Sequence, residues 1–144
     1  MKLAVVIFSM LLITNADLCL AADASICNPG STISYYPNGQ LKSCLLGDFF
    51  IVGDLKCNAL APITFYELGM LKSCVSRGFF SYQGIACNEY GGVSFYRSGR
   101  LDTCVLATRT VIEGKTCVEL EPISLYENGK VKSCGTPKLV RGSR

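Results

Sequence analysis

A unit of 30 residues is written four times in this chain, and that repetition constrains the fold more than any other feature. The unit at 27–56, CNPGSTISYYPNGQLKSCLLGDFFIVGDLK, is followed without a gap by copies at 57–86 and 87–116 and by a shorter one at 117–134. Each copy has cysteine at its first place, tyrosine at its tenth (Tyr36, Tyr66, Tyr96, Tyr126), glycine at its thirteenth (Gly39, Gly69, Gly99, Gly129) and cysteine at its eighteenth. A fixed period of this size denotes an array in which each unit buries its apolar face only against its neighbours. Residues 27–134 are therefore read as one repeat domain.

Within a unit, Ile33 to Tyr36 and Gln40 to Cys44 alternate apolar and polar residues on either side of Pro37-Asn38-Gly39, which is a hairpin signal. A two-residue type I′ loop would need positive φ at two adjacent places, and Leu68 in the second copy resists that. A type I turn closed by one left-handed glycine needs only the residue that all four copies share. This turn opposes Tyr36 to Gln40, Tyr35 to Leu41, Ser34 to Lys42 and Ile33 to Ser43. One face then carries Ile33, Tyr35 and Leu41, with Ile63, Phe65, Leu71, Val93, Phe95, Leu101, Ile123, Leu125 and Val131 after them, and is expected to be buried. The other face carries Ser34, Tyr36, Gln40, Lys42 and Cys44. Phe49 to Val52, Phe79 to Tyr82 and Thr110 to Ile112 read as a further strand, turned by Gly53, Gly84 and Gly114 toward the next first-place cysteine. No stretch shows a helical period. The predicted fold is all-β: an array of four antiparallel β-hairpin repeats, as a meander or a solenoid-like single sheet, stapled by disulfides.

The cysteines at 27, 44, 57, 74, 87, 104, 117 and 134 are separated alternately by 17 and 13 positions. Pairing across the longer gaps (Cys27 with Cys44, Cys57 with Cys74, Cys87 with Cys104, Cys117 with Cys134) uses all eight. Pairing across the shorter gaps strands Cys27 and Cys134. The first is favoured because an exported protein rarely keeps two spare thiols, but spacing alone leaves both open. Zinc would want close Cys-x-x-Cys pairs, and haem attachment would want a histidine after one; the chain has neither. Neither metal nor cofactor is expected.

The segment 1–22 reads as a secretory signal peptide: Lys2, an apolar run from Leu3 to Ile13 too short to span a bilayer, then small residues with cleavage after Ala21, Ala22 or Ala24. Cys19 leaves with it. Removal through Ala24 takes Lys+Arg from 14 to 13 and Asp+Glu from 11 to 9, a net charge of about +4. That is too mild for a nucleic-acid footprint. Residues 135–144 read as a tail whose last residues resemble a vector-derived ending. The expected compartment is oxidising, periplasmic or extracellular.

The core YYPNGQLKSC, echoed as FYELGMLKSC, FYRSGRLDTC and LYENGKVKSC, resembles the MORN repeat, and more closely the variant found in bacterial exported and antitoxin-type proteins. That resemblance implies an antiparallel β-hairpin array used as an interaction platform.

Three functional classes can be weighed. Enzymatic chemistry lacks its parts: the chain has no histidine, Ser43 and Ser73 have no base, and the carboxylates do not recur as a pair. A structural or protein-interaction module fits a repeat array best. A carbohydrate or cell-wall binder is the alternative, with Tyr36, Tyr66, Tyr96 and Tyr126 beside Lys42, Lys72 and Lys132 as the candidate binding face. A membrane surface is not an expected partner. The free edges of such an array also admit a homo-oligomer, as a filament subunit.

Overall fold

The computed structural model describes residues 22–137; the expected signal peptide through Ala21, with Cys19, and the tail from residue 138 lie outside the described residues. A single 3₁₀ turn, Ala24–Ile26, precedes fourteen strands. In each of the first three repeats a principal hairpin is followed by a second, smaller one. The principal hairpins are β1 (Ser34–Tyr35) with β2 (Leu41–Leu45), β5 (Pro62–Phe65) with β6 (Leu71–Val75), β9 (Gly92–Phe95) with β10 (Leu101–Val105), and β13 (Pro122–Leu125) with β14 (Val131–Cys134). They pair side by side into one eight-stranded antiparallel sheet in the order β1-β2-β5-β6-β9-β10-β13-β14. The second hairpins, β3 (Phe50–Val52) with β4 (Leu55–Cys57), β7 (Phe80–Tyr82) with β8 (Ile85–Cys87), and β11 (Thr110–Ile112) with β12 (Lys115–Cys117), form three separate two-stranded sheets.

The principal turns are of the bulged kind. The Gly39 amide donates to the Tyr36 carbonyl at 2.9 Å and the Tyr36 amide to the Gln40 carbonyl at 2.8 Å. Gly39, Gly69, Gly99 and Gly129 have φ of 84, 84, 78 and 86°, a region that costs an L side chain dearly and glycine nothing.

Beyond the turn the register departs from the simple alternation. Tyr35 opposes Leu41 as expected, but Ser34 opposes Ser43, so Lys42 is an extra, unpaired residue. The same slip recurs in the other three principal hairpins. The expected pairs Ser34 to Lys42 and Ile33 to Ser43 are thereby corrected. A bulge lets two residues three apart share a face, so Leu41 and Cys44 both point inward, at 3% and 5% exposure. Cys44 belongs to the core and not to the polar face. The physical reason is the cross-link: its partner Cys27 is itself buried.

All four disulfides close across the longer gaps, Cys27–Cys44, Cys57–Cys74, Cys87–Cys104 and Cys117–Cys134. Each joins the residue that leaves a second hairpin, or in the first repeat the 3₁₀ turn, to the outgoing strand of a principal hairpin. Such a closed set fits an oxidising, exported compartment.

The core lies between the inner face of the large sheet and the second hairpins. Each second hairpin covers the following repeat: Phe50 packs edge-on to Phe65 with ring centroids 5.8 Å apart, and Phe80 to Phe95 at 6.2 Å. Phe65 is consequently buried, whereas Tyr35, expected on the same buried row, is 51% exposed. Among the described residues no second hairpin precedes the first repeat to cover it.

A candidate binding face on the outer side of the sheet

The outer face of the large sheet is built from three parallel rows that run across the strands. The middle row is made of hydroxyls. Pairing across neighbouring strands links Ser34 to Ser43, Ser43 to Thr64, Thr64 to Ser73, Ser73 to Ser94, Ser94 to Thr103, Thr103 to Ser124 and Ser124 to Ser133. Every strand of the sheet thus contributes one Ser or Thr to a single line. Within the second hairpin of the sheet Thr64 and Ser73 share a hydrogen bond of 2.6 Å, and within the third Ser94 and Thr103 share one of 2.9 Å. Cross-strand hydroxyl pairs of this kind also stabilise the sheet.

On one side of that line stand the tenth-place tyrosines. The Tyr36 hydroxyl donates to the Phe65 carbonyl at 2.9 Å, Tyr66 to Phe95 at 2.9 Å and Tyr96 to Leu125 at 2.8 Å. Each ring therefore reaches across to the next repeat and is held there. Tyr126 has no following repeat within the described residues and is 52% exposed. The bulged position carries the cation: the Lys42, Lys72 and Lys132 ammonium groups lie 5.6, 5.6 and 5.9 Å from the ring centres of Tyr36, Tyr66 and Tyr126. Arg97 lies 5.3 Å from the Tyr66 ring as well. In the third repeat the bulged residue is Asp102, which accepts from the Ser94 hydroxyl at 3.1 Å. Partial burial, and next the Asp102 carboxylate, hold the Tyr96 phenol above its ordinary value of 10.0. Arg100, Lys130, Glu67 and Glu127 complete the charges along this rim, which has six cations against three carboxylates.

On the other side the rows end in Leu45 opposite Pro62, Val75 opposite Gly92 and Val105 opposite Pro122. The hydroxyl line is thus the floor of a shallow channel between an aromatic, cationic rim and an apolar one. Where β6 meets β9 the channel holds a depression of about 310 Å³, lined by Ser73, Val75, Gly92, Ser94 and Thr103 among others. No family model, curated protein or solved structure matches the chain. The face must therefore be read from its own chemistry.

The seven residues of the candidate binding face fall on this single rim. The tyrosines are also structural ties, because three of their hydroxyls are used between repeats. Sequence reasoning missed the hydroxyl row, since only the bulge brings the eighth-place and seventeenth-place residues of each repeat opposite one another. The recurring Ser/Thr at the eighth and seventeenth places was the available signal. A second concavity, of about 870 Å³, lies on the opposite side between the principal turns and the second hairpins, with Ile26, Phe50, Met70, Phe80, Tyr82 and Phe95 in its wall.

Proposed function

We propose that this chain is a non-enzymatic, exported interaction module, working in the periplasm or outside the cell, that presents the outer face of its eight-stranded sheet to a partner. The observation that carries the reading is the recurrence of the same three rows in the same registers across four repeats. The core needs only the inner face, and the outer rows, besides tying the repeats together, form one continuous pattern of rings, cations and hydroxyls. The ties between tyrosine and the next repeat hold the rim in one arrangement before any partner arrives, which lowers the ordering cost of binding. The apolar leader and the four disulfides support the export reading, and the resemblance of the turn motif to MORN platforms points the same way.

The test is retention of a component from the envelope fraction of the source organism on the immobilised protein. Retention should be lost on Gly92→Ile, which fills the channel, and kept on Ile51→Ser, which alters an exposed residue of the second-hairpin layer, 65% accessible. No retained component, or loss only with the Ile51 variant, would refute the assignment of the outer face.

A further inference from the structure

We infer that the channel takes an extended, carboxylate-bearing glycan with β-1,4-linked pyranose rings, lying across the strands; this rests on the outer face being the interaction surface. The first reason is period. Equivalent residues of successive repeats are two strands apart, about 9.5 Å at ordinary strand spacing, which is close to the length of one disaccharide in an extended β-1,4-linked chain. Each disaccharide would then meet one tyrosine, one cation and two hydroxyls, and rotation at the glycosidic linkages lets the chain follow the twist of the sheet.

The second reason is chemistry. The Tyr36, Tyr66 and Tyr96 hydroxyls are already donated to backbone carbonyls, so the rings offer faces and not donors. A ring face suits the apolar face of a sugar. It serves a proline-rich peptide less well, since prolines bring carbonyl acceptors but no N–H donors to the floor beside the rings. The floor offers hydroxyls that both donate and accept, which matches a polyhydroxylated ligand. The third reason is charge: six cations against three carboxylates on the aromatic rim favour a glycan bearing carboxylates.

Binding would be measured by calorimetry on the disulfide-intact protein with four hexameric probes: β-1,4-linked mannuronate, β-1,4-linked glucose, α-1,4-linked glucose and proline. The acidic β-1,4 hexamer should bind about ten-fold tighter than the neutral β-1,4 hexamer, and the other two should not bind. Gly92→Ile should weaken the acidic hexamer about ten-fold or more. A Cβ at Gly92 meets no atom within 4 Å and its φ is ordinary, so the fold tolerates the change. As an independent variant, Lys42→Gln with Lys72→Gln should erase the preference for the acidic over the neutral hexamer. The inference is overturned if neither β-1,4 hexamer binds, if the α-linked hexamer or hexaproline binds equally well, or if both sets of variants leave affinity unchanged. Failure with glycans while Gly92→Ile still abolishes envelope retention removes the glycan alone; failure of both removes the outer-face reading with it.

Discussion

At the scale of single residues, two kinds of left-handed position behave differently. Three of the glycines that close the principal turns, Gly39, Gly99 and Gly129, have open space around them, and all four have a φ near 80°, so the constraint they share is on the backbone. Gly69→Val should destabilise by more than about 1 kcal/mol, and Pro37→Ala by less, as measured by urea unfolding. Equal and negligible losses would contradict the bulged turn. The fourth place of each repeat is left-handed as well, at Gly30, Leu60, Tyr90 and Leu120. Leu60, Tyr90 and Leu120 are strongly exposed, and their amides donate to Leu46, Ser76 and Leu106 of the preceding repeat at 2.8 to 3.0 Å. Those bonds offset the strain. Leu120→Gly should relieve the strain and raise stability by about 1 kcal/mol, detectable as a higher melting temperature; a lower one would mean that the exposed side chain contributes contacts.

The same scale carries a prediction in pH. The neutral Tyr96 phenol donates to Leu125, and the Asp102 carboxylate beside it opposes ionisation. Because the folded state raises this pKa, the stabilisation is fully present below the ordinary phenol value and is lost as pH rises through the raised one. Asp102→Asn should therefore lower the ionisation midpoint of Tyr96 in an ultraviolet titration, with Tyr96→Phe identifying the transition. An unchanged midpoint would show that Asp102 does not act on the phenol.

At the scale of the repeat, neighbours are joined by strand pairing, by a second hairpin that covers the next unit and by a tyrosine hydroxyl. The contributions can be separated. Tyr66→Phe removes one tie between repeats and should cost about 1 kcal/mol, whereas Tyr126→Phe removes no bond to a following repeat and should change nothing measurable. Thermal unfolding of the two variants side by side decides this, and equal effects would argue that the hydroxyl ties contribute nothing. The tyrosine row was legible from its spacing, but its double use was not. Spacing reveals that a residue recurs; whether its polar end meets solvent or a carbonyl 29 positions later depends on how far one hairpin sits from the next.

At the scale of the whole molecule, the four disulfides lie in a core that is one layer of side chains between a sheet and three small hairpins. Closing a loop of this size stabilises by about 3 kcal/mol through the unfolded chain. The intact oxidised protein should weigh eight protons less than the reduced one, and reduction should lower the melting temperature sharply; free thiols in the native protein would refute the closed set. The period, the bulged turns and the all-β class were determined by the sequence itself, because glycine at a positive φ and alternation across a turn are local requirements that four copies state identically. The cysteine pairing and the inward turn of Cys44 were decided by tertiary structure. So were the exposure of Tyr35 and the alignment of eight hydroxyls in one channel. Each depends on the single extra residue at the bulge or on which neighbouring hairpin covers which strand, and both are settled by burying the disulfides, a demand that no local pattern expresses.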